Sequence, residues 1–306
     1  MKPVSIKLLS ITSHPEMTLF SVWVHSRPQL KTELYDKFGI MDMDQCYQLY
    51  YHETFSGLVP EKYCNEGIGQ MVEDFKEYVN KTVNLILDTS LPPAEAVTLT
   101  WQMDNVSVAL REQLVRHRST SPWVQSSRNN NDSLTFEGFI PDSALKIPEA
   151  TEIMEDTYKY IKTQFAKLLD LGVPSEDARM IMPEGRQHGL CWTMTLRDFY
   201  KVMKERACWI AQGIWKEIFG QMESELRANG YDLFASRLGT PPCKYGKCVY
   251  KSENENRLTG ADILPVCPLY CKQCGIDYPA EDKETEYYKR RVEELRWDPK
   301  VKKSIQ

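Results

Sequence analysis

Residues 151–174, TEIMEDTYKYIKTQFAKLLDLGVP, set apolar side chains at helical spacing for about six turns. Met154, Tyr158, Ile161, Phe165 and Leu168 share one face, and Gly172 and Pro174 stop the run. A helix with one apolar stripe has to lay it against another layer. QMVEDFKEYVNKTVNLIL (70–87) carries a second helical pattern. A third is expected from Leu196 to Ala228, striped by Phe199, Met203, Ile210, Ile214 and Ile218. VSIKLLSI (4–11), AVTLTWQM (96–103) and SLTFEGFI (133–140) alternate and read as strands. After the second of these, Asp104 or Asn105 is expected to cap a short helix with Val106, Ala109, Leu110, Gln113 and Leu114 at helical spacing. Strands mixed with long helices give an α+β class, with a mixed or antiparallel sheet.

The chain has 306 residues, is 42% hydrophobic and 26% charged, and carries a formal net charge of -5. That is the composition of a globular protein with a full core, and the charge exerts no global pull toward nucleic acid. No apolar run approaches the roughly 20 residues of a membrane helix. The start, MKPVSIKLLSITSHPE, turns polar too soon for a signal peptide. The expected compartment is therefore the cytoplasm, where nine cysteines are metal ligands or free thiols rather than disulfides.

Against the acidic balance, LVRHRSTSPWVQSSRNN (114–130) concentrates positive charge. Arg116, His117, Arg118 and Arg128 stand among Ser119, Thr120, Ser121, Gln125, Ser126 and Ser127, and no Asp or Glu occurs from Val115 to Asn131. Guanidinium forks suit phosphates, and hydroxyls and backbone amides complete such a cradle. The competing reading is a solvated face paired with acids elsewhere in the fold.

Arg116-His117-Arg118, seven further residues and then Ser126 resembles the signature of the flavin-dependent thymidylate synthases, as do Gln113 and Arg128 on either side. LLDLGVPSEDARMIMP, Trp192-Thr193 and Arg206 are similar to that family's second block, in register with the first. The resemblance covers roughly residues 85–225, with a weaker echo at VSIKLLSITSHPE. It implies a homotetramer with sites between subunits, and transfer of a one-carbon unit from methylenetetrahydrofolate to C5 of dUMP. FAD would carry a hydride from NADPH. It further implies FAD binding by Arg116, His117 and Arg118, supported by Arg206 and Glu95. The nucleotide would fall to Gln113, Gln125, Ser126, Arg128 and Lys216, with Ser126 and Arg128 closest to the chemistry. No membrane or nucleic-acid partner is implied.

The chain also departs from the family pattern. Val124 stands where an acid is usual, and Gly189 where an arginine is usual, with Arg186 and His188 as candidate stand-ins. Lys216 replaces an arginine. SLPPAEA keeps Glu95 but has Ser90 and Ala96 at histidine positions. These changes gather at the substrate side. They leave open a variant reaction, hydroxymethylation or methylation of another pyrimidine nucleotide, and a homologue that binds nucleotide or flavin without turnover.

Other residues have plainer expectations. Trp101, Trp123, Trp192, Trp209 and Trp215 are expected in core or interface rather than on flavin. His25, His52 and His188 read as structural or surface histidines. Cys191 and Cys208 read as buried thiols in apolar helical context, and Lys289-Arg290-Arg291 as a solvated helix face.

Near Thr240-Pro241-Pro242 the composition turns cysteine-rich, dividing a catalytic domain (1–235) from an extension (236–306). Cys243 and Cys248 are separated by four residues, and Cys271 and Cys274 by two, with Gly275 following. Four thiolates in two close pairs suit tetrahedral zinc at about 2.3 Å, with Cys267 as a possible substitute ligand. With no open position such a site would fold the extension rather than do chemistry. Free or disulfide-bonded thiols are the alternative.

Overall fold

The computed structural model describes residues 2–89, 92–125, 136–206 and 214–236. In chain order the elements are β1 (Ser5–Ile11), α1 (Pro15–His25), α2 (Pro28–Phe38), α3 (Met43–Tyr47), a π turn (Gln48–His52), α4 (Glu61–Glu66) and α5 (Ile68–Thr89). A 3-10 turn (Pro92–Ala96), β2 (Thr98–Ser107), α6 (Val108–Leu114), β3 (Ser121–Val124), α7 (Asp142–Leu145), α8 (Pro148–Asp170) and α9 (Ser175–Ala178) follow. The described chain closes with a 3-10 turn (Arg179–Ile181), β4 (Gln187–Thr195), α10 (Leu196–Arg206), α11 (Ile214–Ala228) and α12 (Asp232–Ala235).

The sheet has order β1-β2-β4-β3 and all its pairings are antiparallel. Alternation decides its two faces. Ile6, Leu99, Trp101, Met103, Leu190, Trp192 and Met194 point into one core, packed by α1, α5, α10 and α11. Trp101 stacks on Phe199 of α10 at 5.7 Å, and Trp215 of α11 stacks on Phe219 at 5.7 Å. The opposite face carries Thr98, Thr100, Gln102, Thr193 and Thr195, none of them buried.

The β1 edge is closed by α11. Gln221 accepts from Ile6 N (2.9 Å) and donates to Val4 O (2.9 Å), and Glu225 accepts from Leu8 N (3.1 Å). Two side chains one helical turn apart thus satisfy strand groups that would otherwise be open to a further strand.

The α+β class and the helix from 151 hold. That helix ends with Gly172 at φ 81, while Val173 N bonds Leu168 O and Gly172 N bonds Leu169 O. This terminal pattern needs a left-handed residue, which glycine adopts without strain. The expected third helix is borne out at Leu196–Arg206 (α10) and Ile214–Ala228 (α11), and 207–213 between them lie outside the described residues. Three expectations need correction. Asp104 and Asn105 do not cap a helix: β2 runs on through them to Ser107, whose Oγ accepts from Leu110 N at 3.2 Å. Within 133–140 the described residues form only a bridge, Gly138 to Arg186. Cys191 lies on β4, half-buried, and not on a helix.

Trp101, Trp192 and Trp215 are core residues as expected, whereas Trp123 is 78% exposed. His25 and His52 are exposed. No described helix is long and apolar enough to cross a membrane. Trp209, Cys208, Cys267, Lys289-Arg290-Arg291 and the four zinc candidates Cys243, Cys248, Cys271 and Cys274 lie outside the described residues. So do Ser126 and Arg128.

Candidate functional site

Helix α6 leads directly into the arginine-rich stretch. After Leu114 the chain turns: His117 N bonds Leu114 O (3.0 Å), and Thr120 returns both its amide (3.0 Å) and its hydroxyl (2.8 Å) to His117 O. This tight turn folds the His117 side chain inward to 8% exposure and leaves Arg116 and Arg118 on the surface. Among the described residues neither arginine meets a carboxylate.

What holds the turn comes from α10 and α11. Arg206, at the last position of α10, donates from Nε to His117 Nε2 at 3.1 Å. Its Nη1 and Nη2 reach Gln113 Oε1 (3.5 Å) and Gln113 O (3.4 Å), and its guanidinium lies 5.6 Å from the Trp215 ring centroid. Trp215 Nε1 donates to the same Gln113 Oε1 at 2.8 Å. Four residues from three elements and one turn therefore share one polar network on the edge of the core. Each buried acceptor in it has a donor, as low-dielectric packing demands.

The network sets a charge state. Burial, the Arg206 cation and Lys201 push the His117 pKa below its usual 6.5, against a smaller opposing pull from Glu205. With Nε2 accepting from Arg206, the ring proton belongs on Nδ1, which faces Glu205 Oε2 at 3.6 Å. His117 is thus a neutral residue that locks the turn, flanked by two exposed arginines.

The remaining candidates separate into near and far. Gln125 follows β3 beside β4: its amide bonds Gly189 O (3.0 Å) and its Oε1 accepts from Gly189 N (3.1 Å). Lys216 is exposed on α11, next to Trp215. Glu95 pairs with Arg197 in the first turn of α10, one helix length from Arg206, and is not brought to the His117 network of its own chain. His188 does not take the place of a side chain at Gly189. Alternation puts His188 on the face of Leu190 and Trp192, opposite to Gly189. His188 Nε2 is buried there without a partner among the described residues, and burial with the nearby Arg111 and Arg186 charges lowers its pKa despite the Gly189 carbonyl at Nδ1.

Sequence reasoning missed Trp215 as a member of this network. Its spacing is that of a core residue, and only the packing of α11 on α6 reveals the indole N–H as a donor. Gln102 and Asp104 of β2 were also missed as a polar pair, with Gln102 Nε2 donating to Asp104 Oδ2 at 2.6 Å.

Among known sequences, the profile of the family described as "Thymidylate synthase complementing protein" matches residues 42–229. The chain belongs to that family. The match spans α3 to the end of α11 and contains the whole network. The flavin-dependent thymidylate synthase of Saccharolobus solfataricus is 31% identical over 167 residues, 54% of this chain and 62% of that protein. That of Clostridium tetani is 28% identical over 204 residues, 61% of this chain and 81% of that protein. The chain thus spans less than two thirds of the Saccharolobus relative. Among solved structures, thymidylate synthase X from Helicobacter pylori with FAD and dUMP aligns over 77% of this chain and 99% of its own, at 17% identity and a TM-score of 0.46.

Proposed function

We propose that this chain is a flavin-dependent thymidylate synthase, transferring a one-carbon unit from methylenetetrahydrofolate to C5 of dUMP to give dTMP. The observation that carries the reading is the inward His117, held by Arg206 between two outward arginines that meet no acid among the described residues. It is supported by membership of the family. Two guanidinium forks on a tight turn fit the diphosphate of FAD, and the acid-free stretch leaves them available to it. FAD, reduced by NADPH, supplies the redox chemistry when bound. Arg116 and Arg118 bind it. His117, Arg206, Gln113 and Trp215 orient that turn, and Gln125 carries the end of β3 toward Ser126 and Arg128, which hold the nucleotide, the latter at its phosphate. Glu95 and Lys216 serve a neighbouring subunit's site in a homotetramer. Exposed Ile153, Tyr160 and Leu171 around α8 are the kind of apolar surface a subunit covers. The four cysteines of the extension bind one structural zinc, on spacing alone.

Val124 and Gly189 favour one variant within the same chemistry, in which hydroxymethyl is transferred or another pyrimidine nucleotide is used. The test is complementation. A thymidine auxotroph expressing the full chain should grow without thymidine. Failure to grow, with folded protein present in the cells, would refute thymidylate synthesis.

A further inference from the structure

The outer face of the sheet holds a polar array that the network above does not use. Three residues lie in one row across three strands, since Trp123 pairs with Cys191 and Cys191 with Gln102. In the next row Gln125 pairs with Gly189 through both its main chain and its side chain. On the far side of Gly189 the β2 register shifts between Met103 and Val106, so that Asp104 and Asn105 together oppose one residue. Such a bulge re-aims a side chain. This one is pinned: Asn105 sits at φ 60, its Nδ2 donates to Pro3 O at 2.8 Å, and Gln187 Nε2 donates to Asn105 O at 2.9 Å.

The bulge turns Asp104 over Gly189. A Cβ at position 189 would lie 3.1 Å from Asp104 Oδ1 and 3.7 Å from Gln125 Oε1, so the bare glycine is the floor of a shallow slot between the two. Gln102 braces Asp104 through Oδ2 at 2.6 Å, and among the described residues no donor meets Oδ1. Diagonally across the floor stands Trp123, 78% exposed on the same face by strand alternation. Strands spaced about 4.8 Å apart put roughly 10 Å between the backbones of β3 and β2. That gap admits one six-membered ring with a hydrogen bond at its edge.

We propose that Asp104 is a specificity-determining residue that reads the base of the nucleotide, with Trp123 as the apolar wall of the slot and Gly189 as its floor. The inference rests on the nucleotide reading of the previous section. A carboxylate oxygen accepts only, so it selects a ring edge that presents N–H. On a pyrimidine this is the N3–H of uracil or the 4-amino group of cytosine. An alanine at 189 would crowd Asp104 Oδ1, and a larger side chain would fill the slot outright.

The test is equilibrium binding to the full-length, FAD-loaded protein with three probes: dUMP, its N3-methyl derivative and dCMP. The parent should prefer dUMP over N3-methyl-dUMP by tenfold or more, because a site built around a hydrogen bond rejects the analogue lacking it. Asp104→Ala should bring that ratio to within about threefold. Because the readout is a ratio within one protein, a general loss of folding does not imitate it. Preference of the parent for dCMP, lost in Asp104→Ala, supports the same contact with the amine as donor. Trp123→Ala, at an exposed position, should weaken both dUMP and dCMP. Undiminished discrimination in Asp104→Ala overturns the role of Asp104 and leaves the proposed function standing. A parent that holds FAD and binds none of the three probes overturns both.

Discussion

Arg206 Nε meets His117 Nε2 at 3.1 Å across 89 residues of sequence. This contact makes one unit of a turn after α6 and the end of α10. Arg206→Ala strips His117 Nε2 of its donor and removes two contacts from Gln113 inside a partly buried cluster. The expected cost is about 1–3 kcal/mol of stability, read by chemical denaturation, with loss of FAD retention. Arg206→Lys should rescue stability in part and FAD poorly, since one ammonium nitrogen cannot span acceptors that the planar fork reaches from three nitrogens. A variant as stable as the parent would show that the network carries no weight.

Arg118→Ala should abolish FAD retention while leaving the fold intact, because the side chain is exposed. Arg128→Ala should weaken dUMP and spare flavin. Absorbance of bound flavin and nucleotide binding by calorimetry separate the two. Equal loss of both ligands in either variant would contradict the division of roles.

The pH dependence of stability has a definite sign. The folded-state pKa values of His117 and His188 lie below the usual 6.5. The unfolded chain therefore takes up protons first as pH falls. Stability contributed by the neutral rings is intact above about 6.5 and is lost progressively down to the folded pKa values. Melting temperature should decline from pH 7 to pH 5, and less steeply in His117→Gln. Identical slopes in parent and variant would refute the neutral, buried state of His117.

Gly138→Ala should destabilise by about 1–3 kcal/mol, because a Cβ there would run into the Tyr158 ring. Tyr158 in turn donates from its hydroxyl to Phe139 O at 2.8 Å, tying α8 to the chain that bridges to Arg186. Thermal melts settle it: an unchanged midpoint would mean that the ring moves aside at no cost.

Elemental analysis should find about one zinc per full-length chain, and Cys271→Ser should lose it. Stoichiometric zinc in Cys271→Ser would exclude that cysteine as a ligand, and metal-free parent protein would exclude the site.

The arginine-rich turn was legible in the sequence because its residue types are rare together and unaccompanied by acids. Its partners were not. Gln113 and Arg206 could be named from a resemblance, but the donor from Trp215 depends on how α11 packs, which no local pattern encodes. The same limit explains the errors at β2. Asp104 and Asn105 are residues that cap helices, form turns or sit in bulges, and the same short polar side chains serve all three. Pairing with β1 and β4 on either side selected the bulge. SLTFEGFI has strong strand propensity but finds only a bridge among its described residues, whereas QHGLCWTMT, less obvious by type, became β4 because both its edges are paired.

The most direct measurement is mass spectrometry of the nucleotide recovered after incubating the purified full-length chain with FAD, NADPH, methylenetetrahydrofolate and dUMP. The account predicts dTMP, formed by the parent and not by Arg118→Ala. Recovery of unmodified dUMP from the flavin-loaded parent would contradict it.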